Sequence, residues 1–259
     1  YGKPQRRSYE GGVDVVINFT GGDTWHPSLR CLKRGGKLLV CGATAGYDPK
    51  EDLRYVWSFE LQIIGSNSFY DENLTALMQL IQEGKIRYIG LSNEQPWGIM
   101  QFLRVAEEYQ LPRIVSLQNC YNLMNRGMEF GTSEILYREN VALMAYSPLA
   151  FGHLTGKYID NPKAEGRVTM FLGYAQRYKK PGVEKASAAY AALARKHGLS
   201  PTELALSFVY HRWFVTSTII GATTMQQLKQ NIDAWNTKLS EDVLQEIEYL
   251  HLTMMNPAP

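Results

Sequence analysis

Apolar residues along this chain come in short runs, and between the runs they recur every three or four positions. The runs read as strands: Val13–Thr20, Lys37–Ala43, Leu61–Asn67, Ile86–Asn93, Ile114–Tyr121, Ala142–Ser147 and Ser217–Ala222. Each has a length and a β-branched content that suit a buried strand, and the near-absence of alternation predicts a parallel sheet covered on both faces. The intervening segments carry the helical period. Leu74, Leu77, Met78 and Ile81 share one helix face, with Asp71 placed to cap the start and Gly84 the end. Gly98–Tyr109 and Glu184–His197 repeat the pattern, the latter stopped by Gly198. Ser200-Pro201 opens another helix, with Pro at its first position. Met225–Trp235 and Glu241–Leu250 complete the set.

Strand and helix alternate almost throughout, which predicts an α/β protein of parallel β/α units. The longest stretch without a strand is Phe151–Gly182, rich in Gly, Lys and Arg. A connection of that length in a compact domain usually serves a function or is disordered.

Composition narrows the class without choosing within it. Hydrophobic residues make up 45% of the 259 and charged residues 20%, as in ordinary globular chains. A net charge of +2 gives no reason to expect nucleic acid or a membrane surface as partner. No apolar run reaches the roughly eighteen residues of a membrane span. Cys31, Cys41 and Cys120 have no paired spacing, and the five histidines form no ligand-spaced pair. Reduced thiols, no metal and a cytoplasmic setting are the expectation. The chain opens on Tyr1 rather than Met, as a processed or excised product would.

In the front segment a strand runs into Gly21-Gly22, a short helix spans Trp25–Arg34, and Gly35-Gly36-Lys-Leu-Leu-Val-Cys-Gly-Ala-Thr-Ala-Gly46 and Glu60-Leu-Gln-Ile-Ile-Gly-Ser66 follow. Over residues 10–85 this order resembles the late Rossmann part of the medium-chain, zinc-type alcohol dehydrogenases and quinone oxidoreductases. The resemblance implies three Rossmann-like strands. The glycine fingerprint that cradles the pyrophosphate of a dinucleotide is not among these phrases.

The back segment has four phrases in order: Gly84-Lys-Ile-Arg-Tyr-Ile-Gly-Leu-Ser-Asn93, Ser116-Leu-Gln-Asn-Cys-Tyr-Asn-Leu123, Ala145-Tyr-Ser-Pro-Leu-Ala-Phe-Gly152, and Ile219-Ile-Gly-Ala-Thr-Thr-Met-Gln-Gln-Leu-Lys-Gln-Asn231. From about residue 74 to 259 they resemble the C-terminal half of the aldo-keto reductases, in their bacterial Tas-type branch. The resemblance implies four units of a TIM-type (β/α) barrel and a nicotinamide dinucleotide as ligand. Ser92, Asn93 and Gln118 would bond the carboxamide, and Tyr146 would stack on the nicotinamide ring. Ser147, Leu149 and Gly152 would offer backbone groups to the pyrophosphate, with Lys157 and Arg167 as phosphate partners. Gly221, Thr223, Gln227, Gln230 and Asn231 would hold the adenosine end at a helix start, where free amides favour phosphate. NADP is the cofactor implied, and NAD stays open because Gln227 stands where many members carry an Arg for the 2′-phosphate.

The two resemblances meet in the helix before Gly84. They divide the chain into an N-terminal segment over 1–12 whose order is open, a Rossmann-like fragment over 13–73, and a half barrel over 74–259. Three strands plus four leave a barrel short of closure, so a gap, two abutting sheets or a homodimer closing an open sheet are the expected outcomes. The tyrosine that donates the proton in this family, and its Lys, Asp and His helpers, belong to the other half. Tyr9, His26, Lys33 and Asp48 are the front residues of suitable chemistry, in no matching motif. The expected function is that of an NADP-dependent oxidoreductase derivative that keeps the cofactor contacts and takes a small carbonyl substrate. A chimeric scaffold without activity, or an auxiliary binding protein, is the alternative.

Overall fold

The computed structural model describes residues 11–40, 42–43, 46–65, 78–170 and 176–259. They form two compact units, one within residues 1–77 and the other within 78–259.

The front unit is a three-stranded parallel sheet in the order β1 (Val13–Asn18), β2 (Leu32–Val40), β3 (Gln62–Gly65). Helices α1 (Trp25–Cys31) and α2 (Leu53–Ser58) make the two crossovers. Sequential strand order and a constant crossover hand put both helices on one face. There Trp25, Leu29, Tyr55 and Phe59 bury Leu32, Leu38 and Leu61. Val13, Val15 and Ile17 stay largely exposed. The expectation of cover on both faces therefore fails for this sheet among the described residues. The predicted helix Trp25–Arg34 also ends early, at Cys31, and β2 starts at Leu32. Gly35, at φ 73°, explains the change. Its N–H donates to the Phe59 carbonyl at 2.8 Å, and the pairing jumps from Val13–Leu32 to Val15–Lys37. An irregular, glycine-bent strand edge thus replaces the last helical turn. Asn18 organises the following turn. Its Oδ1 accepts from the amides of Thr20 (2.9 Å) and Gly21 (2.7 Å), and its Nδ2 donates to Ser28 Oγ at 2.9 Å.

In the back unit a helix whose described residues are 78–82 (α3) closes as predicted on Gly84, at φ 70°. The Gly84 N–H bonds the Ile81 carbonyl and the Lys85 N–H bonds Leu80, both at 2.9 Å, which satisfies end carbonyls of the helix. The strands are β4 (Ile89–Ser92), β5 (Ile114–Cys120), β6 (Ala142–Tyr146) and β7 (Val215–Thr218), paired in that order and all parallel. Among the described residues β4 and β7 each pair on one side only, so the sheet is open. The predicted Ile86 and Ser217 starts move to Ile89 and Val215, since the α3 cap occupies Lys85 and Ile86 and an irregular register at Leu143/Met144 admits Thr216.

Helices α4 (Pro96–Glu108), α5 (Thr132–Arg138), α8 (Val183–Lys196), α9 (Pro201–Tyr210), α10 (Met225–Asp233) and α11 (Glu241–Thr253) surround it, with short turns α6 (Lys157–Asp160) and α7 (Arg167–Met170) in the long connection. That connection is thus less bare than its composition suggested. α9 begins with a capping box, in which Ser200 Oγ accepts from the Glu203 amide at 3.1 Å and Glu203 reaches back to the Ser200 amide. The rung Leu91–Leu117–Leu143–Val215 faces the core. The next rung, Ser92–Gln118–Met144–Ser217, is largely polar and none of its members is buried. Gly90 serves this face: a Cβ there would run into the Ser116 hydroxyl and carbonyl.

Behind the core lies a buried charge network. Arg126, 3% exposed, donates from Nη2 to Glu129 (2.7 Å) and Glu248 (3.0 Å), and from Nε to Glu129 (2.8 Å). Arg212 reaches Tyr121 Oη (3.0 Å) and both carboxylates (3.3 and 3.4 Å). The Phe208 ring lies under the Arg212 guanidinium at 4.2 Å and that of Arg126 at 5.3 Å.

Candidate functional site

The predicted cofactor residues lie at the C-terminal ends of the back-unit strands and in the loops beyond them. Ser92 ends β4. The Asn93 amide extends the ladder to the Gln118 carbonyl at 3.0 Å, after which Asn93 turns out at φ 56°. That turn points its carboxamide along the strand ends, where Oδ1 accepts from Tyr146 Oη at 2.6 Å and Nδ2 donates to Ser92 Oγ at 3.0 Å. Ser92 and Gln118 are register partners. The structure therefore brings Ser92, Asn93, Gln118 and Tyr146 together across three strands.

The loop after β6 is wound tightly by its own backbone. Ser147, Ala150 and Phe151 have φ of 54°, 48° and 54°, and Gly152 follows at 93°. The Ser147 carbonyl accepts from the Ala150 amide at 2.9 Å and from Asn122 Nδ2 at 3.0 Å. The Gly152 amide donates to the Leu149 carbonyl at 2.8 Å, so of the backbone groups predicted for a pyrophosphate this one already has an internal partner. Lys157 Nζ lies 3.2 Å from the Glu165 carbonyl and 4.7 Å over the Tyr158 ring. Arg167 lies 5.1 Å over Phe151. Both cations belong to the same loop system as Gly152, whose Cβ, if present, would touch the Lys157 side chain.

The last group sits before and on α10. Thr224 caps the helix, its Oγ1 accepting from the Gln227 amide at 3.1 Å. Gln227 Oε1 accepts from the Thr223 amide (2.9 Å) and hydroxyl (3.0 Å). Asn231, 2% exposed, donates from Nδ2 to the Gly221 carbonyl at 3.1 Å, and its own carbonyl accepts from Tyr210 Oη at 2.8 Å. It holds the Gly221 loop to the helix, a structural duty beside any contact it makes. Gln230 reaches only to Ser200 Oγ, at 3.5 Å. Space next to Gly221 is open on the Cβ side.

The sequence reading missed a cluster under Tyr146. The turn Gln176–Lys179 buries Tyr178, whose ring stacks on His153 (5.7 Å) and meets Phe151 edge-on (5.1 Å). Tyr178 Oη lies 3.7 Å from Cys120 Sγ and 3.4 Å from Asn122 Nδ2. Burial pushes the Cys120 thiol and the Tyr178 phenol up, which makes the first a poor nucleophile and the second a poor acid at neutral pH. Aromatic residues flanking the long loop were the available signal, but their partners are distant in sequence. Of the front residues considered as acids, His26 and Asp48 line an open cleft of about 970 Å³ within the front unit, Lys33 is ion-paired with Asp14, and Tyr9 lies outside the described residues.

Two histidines predict an acid sensitivity. Burial, then Lys157, holds the His153 pKa below the usual imidazole value of 6.5, and burial, then Arg126, does the same for His251. The unfolded chain therefore takes up protons at a higher pH than the folded one, so folding stability falls as pH drops below about 6.5 and levels off beneath the folded values. The denaturation midpoint is expected to be level from pH 8 to 7 and to decline by about pH 5.5. A His251→Phe change should flatten part of that decline.

Comparison with known proteins fits this geometry. A family model described as aldo/keto reductase family matches residues 37–251. An aldo-keto reductase from Babesia bovis is 36% identical over 215 residues, which cover 80% of this chain and 75% of that protein. The chain belongs to the aldo/keto reductase family. The protein named Protein tas in Escherichia coli is 50% identical over 189 residues, 73% of this chain and 54% of its own length. L-glyceraldehyde 3-phosphate reductase of Escherichia coli is 29% identical over 189 residues, again with 54% of its length covered. The chain thus spans about half the length of these two bacterial relatives. The family match begins at residue 37, inside β2 and well before the expected boundary near residue 74. Parallel β/α units are consistent with the TIM-type barrel of this family, and no closed barrel forms among the described residues. Among the described residues no helix is long and apolar enough to cross a membrane.

Proposed function

We propose that residues 74–259 form the nicotinamide-dinucleotide half-site of an NADP(H)-dependent carbonyl oxidoreductase. The observation that carries this reading is the 2.6 Å bond from Tyr146 Oη to Asn93 Oδ1. It fixes an aromatic ring and a carboxamide at the strand ends, beside the polar side chains of Ser92 and Gln118. C-terminal strand ends are where such barrels place their chemistry.

The residues fit the group. Ser92, Asn93 and Gln118 supply both donors and acceptors for a carboxamide. Tyr146 supplies an aromatic ring on a residue that is only partly buried. Lys157 and Arg167 supply positive charge without a carboxylate partner among the described residues, and the α10 N-terminus adds amides beside the open Gly221 loop. NADP is the favoured form, with NAD admitted by Gln227. When bound, the dinucleotide supplies hydride. The chain's part is to hold the ring at one face and keep its amide in register, since only a well-aimed donor lowers the barrier. The developing alkoxide needs a proton. Tyr178 cannot give it readily, being buried with a raised pKa. The reading assigns binding to these residues and proton delivery to groups outside them. The front unit is read as a Rossmann-like fragment on the order of its strands and glycine turns, and a small carbonyl compound is the substrate class.

NADPH fluorescence titration tests this. Micromolar binding is expected, weakened about tenfold or more by Tyr146→Ala, as loss of ring stacking implies, and also weakened by Asn231→Ala. Absence of binding below millimolar NADPH, or binding untouched by both changes, would leave the chain a folded scaffold without the site.

A further inference from the structure

The back-unit sheet has two free edges, and neither is built to stay free. Among the described residues β4 pairs only with β5, and β7 only with β6. An edge strand exposes a row of backbone N–H and C=O groups, and chains that keep such an edge in water protect it with Lys, Pro or an inward charge. Here Ile89-Gly-Leu-Ser92 and Val215-Thr-Ser-Thr218 contain neither a charged residue nor a proline. The two edge strands match in length, at four residues each, and run in the same direction.

The helices beside these edges are uncovered as well. α10 follows β7 and packs on α9, where Tyr210 Oη donates to the Asn231 carbonyl at 2.8 Å. Asn231 and Ala234 mark its buried face. Beside that face Met225, Leu228, Ile232 and Trp235 recur every three or four residues as a single apolar stripe. Met225, Ile232 and Trp235 are each more than half exposed. At the other edge Tyr88 precedes β4 and Trp97 lies in the first turn of α4, both largely exposed.

We propose that a second copy of this chain covers both edges, β7 of each protomer pairing with β4 of the other about a two-fold axis along the strands. Three features select a second copy over an unrelated partner. An axis along the strands preserves their direction, so the two new ladders are parallel like the rest. One two-fold operation covers both edges of both protomers and leaves none over. Four strands from each protomer give eight, the number at which a barrel closes on an interior just filled by side chains. α4 and α10 both follow their strands directly, so each starts near the strand C-terminal ends. Across the new joint Trp97 of one protomer therefore comes level with Met225 of its partner, and the α10 stripe runs down the flank of the partner's α4.

Light scattering on the whole chain after gel filtration, at about 1 to 100 μM, tests this. The mass expected is twice the 29.4 kDa of one chain. Ile232→Glu puts a charge into the joint and should weaken the dimer about tenfold or more, whereas Ile232→Leu keeps it. Trp97→Glu should weaken it equally from the other edge. A mixture of the two Glu variants has one unaltered joint per pair of chains, so it should associate more tightly than either variant alone. That recovery also shows that both variants are folded. Leu252→Glu, the same kind of change at an exposed position on α11, should leave the mass unaltered. A monomer across the whole range overturns the proposal, as does a dimer indifferent to both Glu changes at the edges or lost equally in Leu252→Glu. No recovery in the mixture overturns it too. A mass that keeps rising with concentration would mean that the edges join in an open series without closing, and would equally overturn it.

Discussion

Phe208→Ala is expected to destabilise the back unit by roughly 3–5 kcal/mol, the largest effect of any single truncation considered. The ring is 2% exposed and stacks on Tyr121 at 5.9 Å. Removing it opens a cavity in the middle of the core. It also takes away the aromatic face beneath two guanidiniums, each such contact being worth about 0.5–2 kcal/mol. Phe208→Leu keeps much of the volume and loses the face. It separates the two contributions, with an expected cost of about 1–2 kcal/mol. Denaturant unfolding of both variants measures this, and a loss below about 1 kcal/mol for Phe208→Ala would show that the site collapses around the deletion.

Arg126→Met comes second, at about 3 kcal/mol. Breaking a buried pair from one side costs roughly 3–5 kcal/mol, because a charge is left without its partner. The lower end applies here. Arg212 still reaches Glu129 and Glu248 at 3.3 and 3.4 Å, and the Glu248 side chain is 47% exposed. The double change Arg126→Met with Glu129→Leu should cost less than the sum of the singles, since no stranded charge remains. Additive effects in that cycle would mean the two groups do not sense each other, against the 2.7 Å bond between them.

These predictions concern contacts that no sequence pattern announces. Local signals did foretell much of the frame. The apolar runs overlap each of the seven strands among the described residues, the last by Ser217 and Thr218 alone, and Gly84, Gly198 and Ser200-Pro201 marked helix ends where the backbone needs a left-handed residue or a cap. Four ordered phrases led to the strand-end residues Ser92, Asn93, Gln118 and Tyr146, and to the family. The predicted strand over residues 61–67 and the start of the helix at Asp71 lie partly outside the described residues. What escaped had either a weak period or a distant partner. Thr132–Arg138 is too short to show a helical stripe, with only Ile135, Leu136 and Tyr137 apolar. The β2 start at Leu32 depends on the Gly35–Phe59 bond across the sheet. Tyr178 meets Cys120 across 58 positions, and Arg126 meets Glu248 across 122. Periodicity reports which face of an element is apolar and carries nothing about which polar groups the fold brings opposite each other.

The loop after β6 has a consequence for engineering. Ser147, Ala150 and Phe151 each hold a backbone conformation that side chains disfavour, at a cost of about 1 kcal/mol or more apiece. A search for thermostable variants that scores only folded lifetime would therefore be drawn to glycine at these positions. Each gain there would come from slackening the turn that holds Tyr146 against Asn93. In this chain the cheapest stabilising substitutions and the ones most damaging to a ligand site are expected to be the same, so selection for robustness and selection for binding pull the loop in opposite directions.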